Sequence, residues 1–291
     1  MVKWISLSLL LSILTAADFG DVRNVDSSHT KTHFTADYYR SLPEWRTRRA
    51  VLQKQILSAA GLWPMGSRGP VVSRRYGRIE AGSFFIEKVA FEALPAFPVG
   101  ANLYLPKSPN GGAVLVAHGH WKRGRVHDAE DYSVPALCAN LARHGYVALA
   151  YDMVGYGDTL HHRHEFGGSR EEQAWSYSPL GLQLRAGLRA VDFLVSLPQV
   201  DANRITMTGA SGGATQTILL TAVDERIAAA APVNMVSENF QGNDACEMAP
   251  GLRVGTNNIE IAAMAAPRPM LIVSATKDWT RNTPDLVLPA V

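Results

Sequence analysis

The stretch Arg204-Ile205-Thr206-Met207-Thr208-Gly209-Ala210-Ser211-Gly212-Gly213-Ala214-Thr215-Gln216 decides how this chain is read. A short strand-like run, Ile205 to Thr208, breaks at Gly209 and resumes after Gly213 as an apolar helical pattern from Ala214 to Ala222. A strand that passes straight into a helix must bend sharply at one residue, and that residue is forced into a strained backbone conformation. Glycines two positions either side of Ser211 allow the bend by removing the Cβ atoms that would clash. The Ser211 hydroxyl is thereby lifted to the sheet edge, beside a helix N-terminus that favours developing negative charge. Ser211 is the candidate nucleophile.

On either side of this turn, short buried strands alternate with helices. The pattern predicts strands at Ala113–Ala117, Tyr146–Tyr151, Ile205–Thr208, Ile227–Val233 and Met270–Ala275, with helices at Val134–Arg143, Leu180–Leu197 and Ala214–Ala222. Such alternation indicates a mainly parallel sheet with helices on both faces. Three earlier runs, Val71–Ile79, Phe84–Phe91 and Ala101–Leu105, are separated by Gly and Pro turn signals and predict an antiparallel opening to the sheet. Leu42, Trp45, Val51, Leu52, Ile56 and Leu57 suit an amphipathic helix stopped by Gly61 and Pro64. The expected organisation is a signal peptide over 1–17, an N-terminal extension over 18–70 and a catalytic domain over 71–291.

The chain of 291 residues, 47% hydrophobic, is long enough for one large domain. Its 28 basic and 26 acidic residues leave a net charge of +2, which argues against a nucleic-acid partner. Lys3, the apolar run Trp4 to Leu14 and Thr15-Ala16-Ala17 form a signal-peptide pattern. The apolar run is about half of the ~20 residues a membrane span requires, so a secreted or periplasmic protein without stable membrane insertion is expected. Cys138, in an apolar helical pattern, and Cys246, in a polar loop, read as unrelated thiols rather than as a disulfide framework.

Further chemistry clusters after the other strands. His118-Gly119-His120 follows Val114–Ala117, where acyl transfer takes its second oxyanion donor, so the backbone amides of His120 and Gly212 are the candidate pair. His118 is expected to pack and orient that loop. In Tyr151-Asp152-Met153-Val154-Gly155-Tyr156-Gly157-Asp158 the glycines permit a sharp turn, and Asp152 reads as the residue that fixes it. Asp278 fits the triad acid by its position two β-units after Ser211, with Glu238 as runner-up. The order expected next is a histidine, yet all nine histidines precede Ser211 and only thirteen residues follow Asp278. This predicts a chain truncated before its last strand and histidine loop. His161 and His164 have a spacing that could present both to one ion, but a cleft-lining loop is the simpler reading and no metal or cofactor is expected.

Two blocks then carry a resemblance. Ile205 to Pro232 holds Gly-Ala-Ser-Gly-Gly (209–213) and Asp-Glu-Arg-Ile (224–227), and Ala265 to Pro284 holds Ala-Pro-Arg-Pro-Met (266–270) and Lys-Asp-Trp-Thr-Arg-Asn-Thr-Pro (277–284). They resemble bacterial acetyl xylan esterase-like members of the α/β-hydrolase superfamily, related to other carbohydrate esterases and dienelactone hydrolase-like proteins. The resemblance implies an α/β-hydrolase fold, Ser211 as nucleophile, Asp278 as acid, His120 and Gly212 as oxyanion donors, and a small-molecule or polysaccharide ester as substrate. Two rivals stand beside this reading. One is a serine peptidase of the prolyl-oligopeptidase type, although no propeller repeats occur in the sequence; the other is a non-catalytic binding protein on the same fold.

Overall fold

The computed structural model describes residues 39–277 and 279–290. The signal peptide and the connecting stretch read over 1–35, and Asp278, lie outside the described residues.

Seven strands form one sheet. They are β1 (Ser73–Ala81), β2 (Phe84–Leu94), β3 (Phe97–Pro106), β4 (Ala113–Ala117), β5 (Val147–Tyr151), β6 (Ile205–Ala210) and β7 (Ile227–Val233), in the order β1-β2-β3-β5-β4-β6-β7. The first three are joined by tight turns and pair antiparallel, and β3 meets β5 antiparallel through Ala101 opposite Tyr151. From β5 across β4 and β6 to β7 every pairing is parallel, so the sheet centre has the α/β-hydrolase arrangement.

Period-two alternation decides which side chains meet which helices. Leu103, Leu115, Leu149 and Met207 point to one face. There they pack with α1 (Leu42–Ala59), α4 (Pro179–Val195) and α5 (Gly212–Val223). The intervening Tyr104, Val114, Val116, Ala148 and Ala150 meet the opposite helix α2 (Val134–Arg143) through Val134, Cys138 and Ala142. Local sequence starts these helices. Ser133 and Ser178 accept hydrogen bonds from Ala136 and Gly181 N–H at 3.0 and 3.1 Å, and a proline follows each within the first turn. Two further short helices are α3 (Arg170–Ala174), begun by a Ser169–Glu172 capping box, and α6 (Asn258–Ala263).

Two expectations change. In α1 the apolar set is narrower than predicted: Leu42 and Val51 are exposed, and Leu52, Ile56 and Leu57 are buried. The inward row runs Trp45, Arg48, Leu52, Ile56 at i, i+3 and i+4 steps, and Arg48 meets Glu260 of α6 with two hydrogen bonds of 2.7 and 2.8 Å. Val51 lies about 100° from that row and faces water. The predicted strand Met270–Ala275 is reduced to two isolated parallel bridges, Ala230 with Met270 and Val233 with Val273. Prolines at 267 and 269 remove backbone donors just ahead of it. Both cysteines are free and buried.

Leu149 is fully buried at the sheet centre. Leu149→Ala is expected to lower unfolding free energy by about 2–5 kcal/mol, read from urea melts, because neighbours fixed in strands on both sides cannot collapse into the void.

Candidate active site

The bend between β6 and α5 has the form its sequence demands. Ser211 sits at φ 57° and ψ −122°, a positive φ that side-chain-bearing residues avoid, and makes no capping hydrogen bond to the helix it begins. Such a conformation costs of order 1–3 kcal/mol and persists only where the surroundings over-determine it. Here they do. The Ser211 N–H donates to the Val233 carbonyl of β7 at 3.0 Å, while its own carbonyl accepts from Ala214 and Thr215 N–H at 2.8 and 3.1 Å. A Cβ on Gly209 would lie 2.5 Å from the Gly213 carbonyl oxygen, and one on Gly213 would run into the Ala117 carbonyl oxygen at the end of β4.

The loop after β4 closes over this bend. Gly119 lies so near Ala210 that a Cβ would come within 2.9 Å of its carbonyl oxygen, and a Cβ on Gly212 would be 2.5 Å from Cε1 of the His120 ring. The structure therefore brings Ser211, Gly212 and His120 together. His118 points the other way and is fully buried. Its Nδ1–H donates to the Gly119 carbonyl at 2.7 Å and its Nε2 accepts the Met153 N–H at 2.9 Å. Burial, together with nearby His120 and Arg125, lowers its pKa to about 4, although the Gly119 hydrogen bond opposes the shift, so the ring is neutral at physiological pH.

The turn after β5 forms the opposite wall. Asp152 is buried, accepts the Asp158 N–H at 2.7 Å and pairs with the Arg125 guanidinium, which also grips Asp158. Gly157, at φ +55°, lies directly over the Asp152 carboxylate, where no side chain fits. Burial raises the Asp152 pKa to about 6 against the opposing pull of Arg125. A cleft of about 880 Å³ opens between these loops, lined among others by Lys88, His120, Lys122, Arg123, Tyr156 and His164.

The stretch His161-His162-Arg163-His164 is a loop whose three rings diverge. His161 packs edge-on against Phe97 with centroids 4.4 Å apart. His162 donates from Nδ1 to the Arg163 carbonyl at 3.0 Å and accepts the Tyr177 hydroxyl at Nε2 at 3.1 Å. His164 alone turns inward, beside Tyr156 and His120. Glu238 is buried in the loop after β7, hydrogen-bonded by Asn282 at 3.0 Å and by Ser237 at 3.3 Å. Sequence reasoning missed one neighbour of the bend. Cys246, read as a loop thiol, is buried with Sγ 3.0 Å from Nε2 of His120. No fixed spacing links positions 120 and 246, so only the fold reveals it.

The acetyl xylan esterase family model, AXE1, matches residues 88–242, from within β2 to the loop after β7. The chain belongs to this family. Among solved structures, a methylesterase is 30% identical with a TM-score of 0.72; the match covers 87% of this chain and 56% of that one, so this chain spans little more than half of its length. A Bacteroides fragilis protein solved as an acetyl xylan esterase shares the fold at 18% identity, with a TM-score of 0.66 over 82% of this chain and 70% of the other. The Bacillus subtilis protein YtaP, named as a hydrolase, is 25% identical over 258 residues, covering 81% of this family member and 83% of YtaP.

The two ends of the bend's strain are separable by mutation. Gly213→Ala should destabilise the protein by about 1–3 kcal/mol, since its methyl meets strand backbone that cannot yield. Ser211→Gly should be as stable as the parent or up to about 1 kcal/mol more so, because glycine tolerates the positive φ. Urea denaturation of the two variants checks both directions.

Proposed function

We propose that this chain is a serine carboxylic-ester hydrolase acting on carbohydrate esters. The observation that carries the reading is the Ser211 backbone, held at φ 57° between a strand and a helix with the His120 loop packed on Gly212. In this reading the Ser211 hydroxyl attacks the ester carbonyl, an acyl-enzyme forms, the alcohol leaves, and water releases the acid. The amide N–H groups of Gly212 and His120 stabilise the tetrahedral oxyanion, and Asp278 takes the place of the triad acid, with Glu238 as the alternative. Membership of the acetyl xylan esterase family supports the ester substrate. Among the described residues no helix is long and apolar enough to cross a membrane.

Turnover of p-nitrophenyl acetate by the purified chain tests this. Ser211→Ala should reduce kcat/KM by at least about 10³-fold, while the unfolding midpoint stays within the range of a surface change. Hydrolysis that survives the substitution would remove Ser211 from the nucleophile role. Absence of Ser211-dependent hydrolysis in a chain extended to full length would favour a non-catalytic binding protein.

The cleft adds a preference for charge. Lys88, Lys122 and Arg123 line its wall beside Asp158, which is already paired with Arg125, so the wall keeps an excess of cations that favours a carbohydrate ester carrying carboxylates over a neutral one. Lys122→Glu with Arg123→Glu should raise KM several-fold for an esterified uronate oligosaccharide and leave KM for p-nitrophenyl acetate unchanged. Equal effects on the two substrates would show that the cations play no part in selection.

A further inference from the structure

Beside the bend, three side chains from distant parts of the chain converge with their ligating atoms within 4.8 Å of one another: His120, His164 and Cys246. His120 comes from the loop after β4, His164 from the loop following the Asp152 turn, and Cys246 from the segment after β7. The ring nitrogens are already oriented. Nδ1–H of His164 donates to the Val154 carbonyl at 2.7 Å, which leaves Nε2 as the bare lone pair, and that Nε2 is buried without a hydrogen-bond partner. A main-chain carbonyl that fixes the tautomer of one nitrogen while the other stays free is the support that metal-ligating histidines receive. Nδ1 of His120 lies 3.9 Å from the buried Glu247 carboxylate, and this turns its Nε2 towards Cys246 at 3.0 Å and Asp244 at 3.6 Å. Glu247 is itself held by the Asn243 N–H at 3.0 Å.

We propose that His120 Nε2, His164 Nε2 and the Cys246 thiolate form a site for a zinc-class divalent cation, with Asp244 in reach of the fourth position. Tetrahedral zinc with nitrogen and sulfur ligands sets neighbouring donors about 3.3–3.8 Å apart; here His120 Nε2 and Cys246 Sγ are 3.0 Å apart and no pair of the three exceeds 4.8 Å, so side-chain shifts of about 1 Å complete the geometry. Two imidazoles and a thiolate select a borderline-soft ion over magnesium or calcium, which take oxygen. On binding, Cys246 releases its proton to solvent and the S–H bond is replaced by a sulfur–metal bond, with no change of oxidation state. The ion would clamp three loops around the candidate oxyanion position, and it satisfies an otherwise unpaired nitrogen. The site is independent of whether Ser211 is a nucleophile.

Cobalt(II) titration of the intact, chelator-treated protein tests the assignment. The expected result is one cobalt per chain with a thiolate-to-cobalt charge-transfer band and the intense visible bands of four-coordinate cobalt, all abolished by one equivalent of zinc. Cys246→Ser should remove the charge-transfer band, and His164→Gln should weaken cobalt binding at least tenfold, while His161→Gln changes neither. A wild-type spectrum without the charge-transfer band overturns the proposal and leaves a plain thiol–imidazole hydrogen bond; that measurement needs no variant to fold. Persistence of the band in Cys246→Ser, or equal loss in His161→Gln and His164→Gln, overturns it as well.

Discussion

The arrangement depends on a steric constraint: at the end of β6 the chain has room for a reversal only where side chains are missing. The carbonyl oxygens of Ala117 and Gly213 occupy the space that a Cβ at 213 or 209 would take. Helix α5 can consequently begin almost in contact with β4, and its residues 212–223 are all buried. The same closeness sets Ser211 at the sheet edge and brings the loop after β4 across its amide. Replacing either glycine would separate helix from strand, and the serine would lose the surroundings that hold its positive φ.

A second layer of control is ionic, and it lies behind the loops. Arg125 is buried and binds both Asp152 and Asp158, so the loop after β4 and the turn after β5 share one cation. Gly100 of β3 lets that turn approach, with 3.0 Å from a hypothetical Cβ to the Asp152 carboxylate. On the far side of the sheet Asp192 gathers Arg68, Arg189 and Arg226, at 3.1, 2.7 and 2.7 Å, joining α4 to the chain ahead of β1 and to the start of β7. Buried pairs of this kind add little net stability, because desolvation consumes much of their attraction, but losing one partner leaves an uncompensated charge. Their effect is to fix position, which a cleft built from loops requires.

The parallel half of the fold was legible because short apolar strand-like runs alternate there with longer stretches that have apolar residues at helical spacing. Ala113–Ala117, Val134–Arg143 and Ile227–Val233 occur with the boundaries that the pattern predicts. The bend at Ser211 was legible for the same local reason, since the glycines that permit it are adjacent in sequence. What could not be read depends on contacts between distant segments. Nothing near Arg48 says that a buried row of α1 ends in an ion pair with Glu260, 212 residues later. Nor does anything near Cys246 announce His120. His161 and His164 seemed a pair by spacing alone, whereas the loop sends one ring to Phe97 and the other into the cleft. Local pattern fixes elements, and side-chain convergence between loops is decided by topology.

The loop after β4 holds a buried scaffold residue and a cleft-lining one in one short segment. An extended chain would put His118 and His120 on one side, but the chain bends at His120 and the two rings enter different surroundings. His118 faces inward, and with one ring nitrogen donating to its own loop and the other accepting from Met153 it has no capacity left for chemistry. Its neutrality matters to this function, since a charged imidazole would turn the accepting nitrogen into a second donor opposed to the Met153 N–H. His120, two residues on, faces the cleft and keeps Nε2 directed at other side chains. Gly119 between them permits the close pass over Ala210. The inner histidine thus ties the loop to the turn after β5 through two hydrogen bonds, and that tether places the outer residue and its amide beside Ser211.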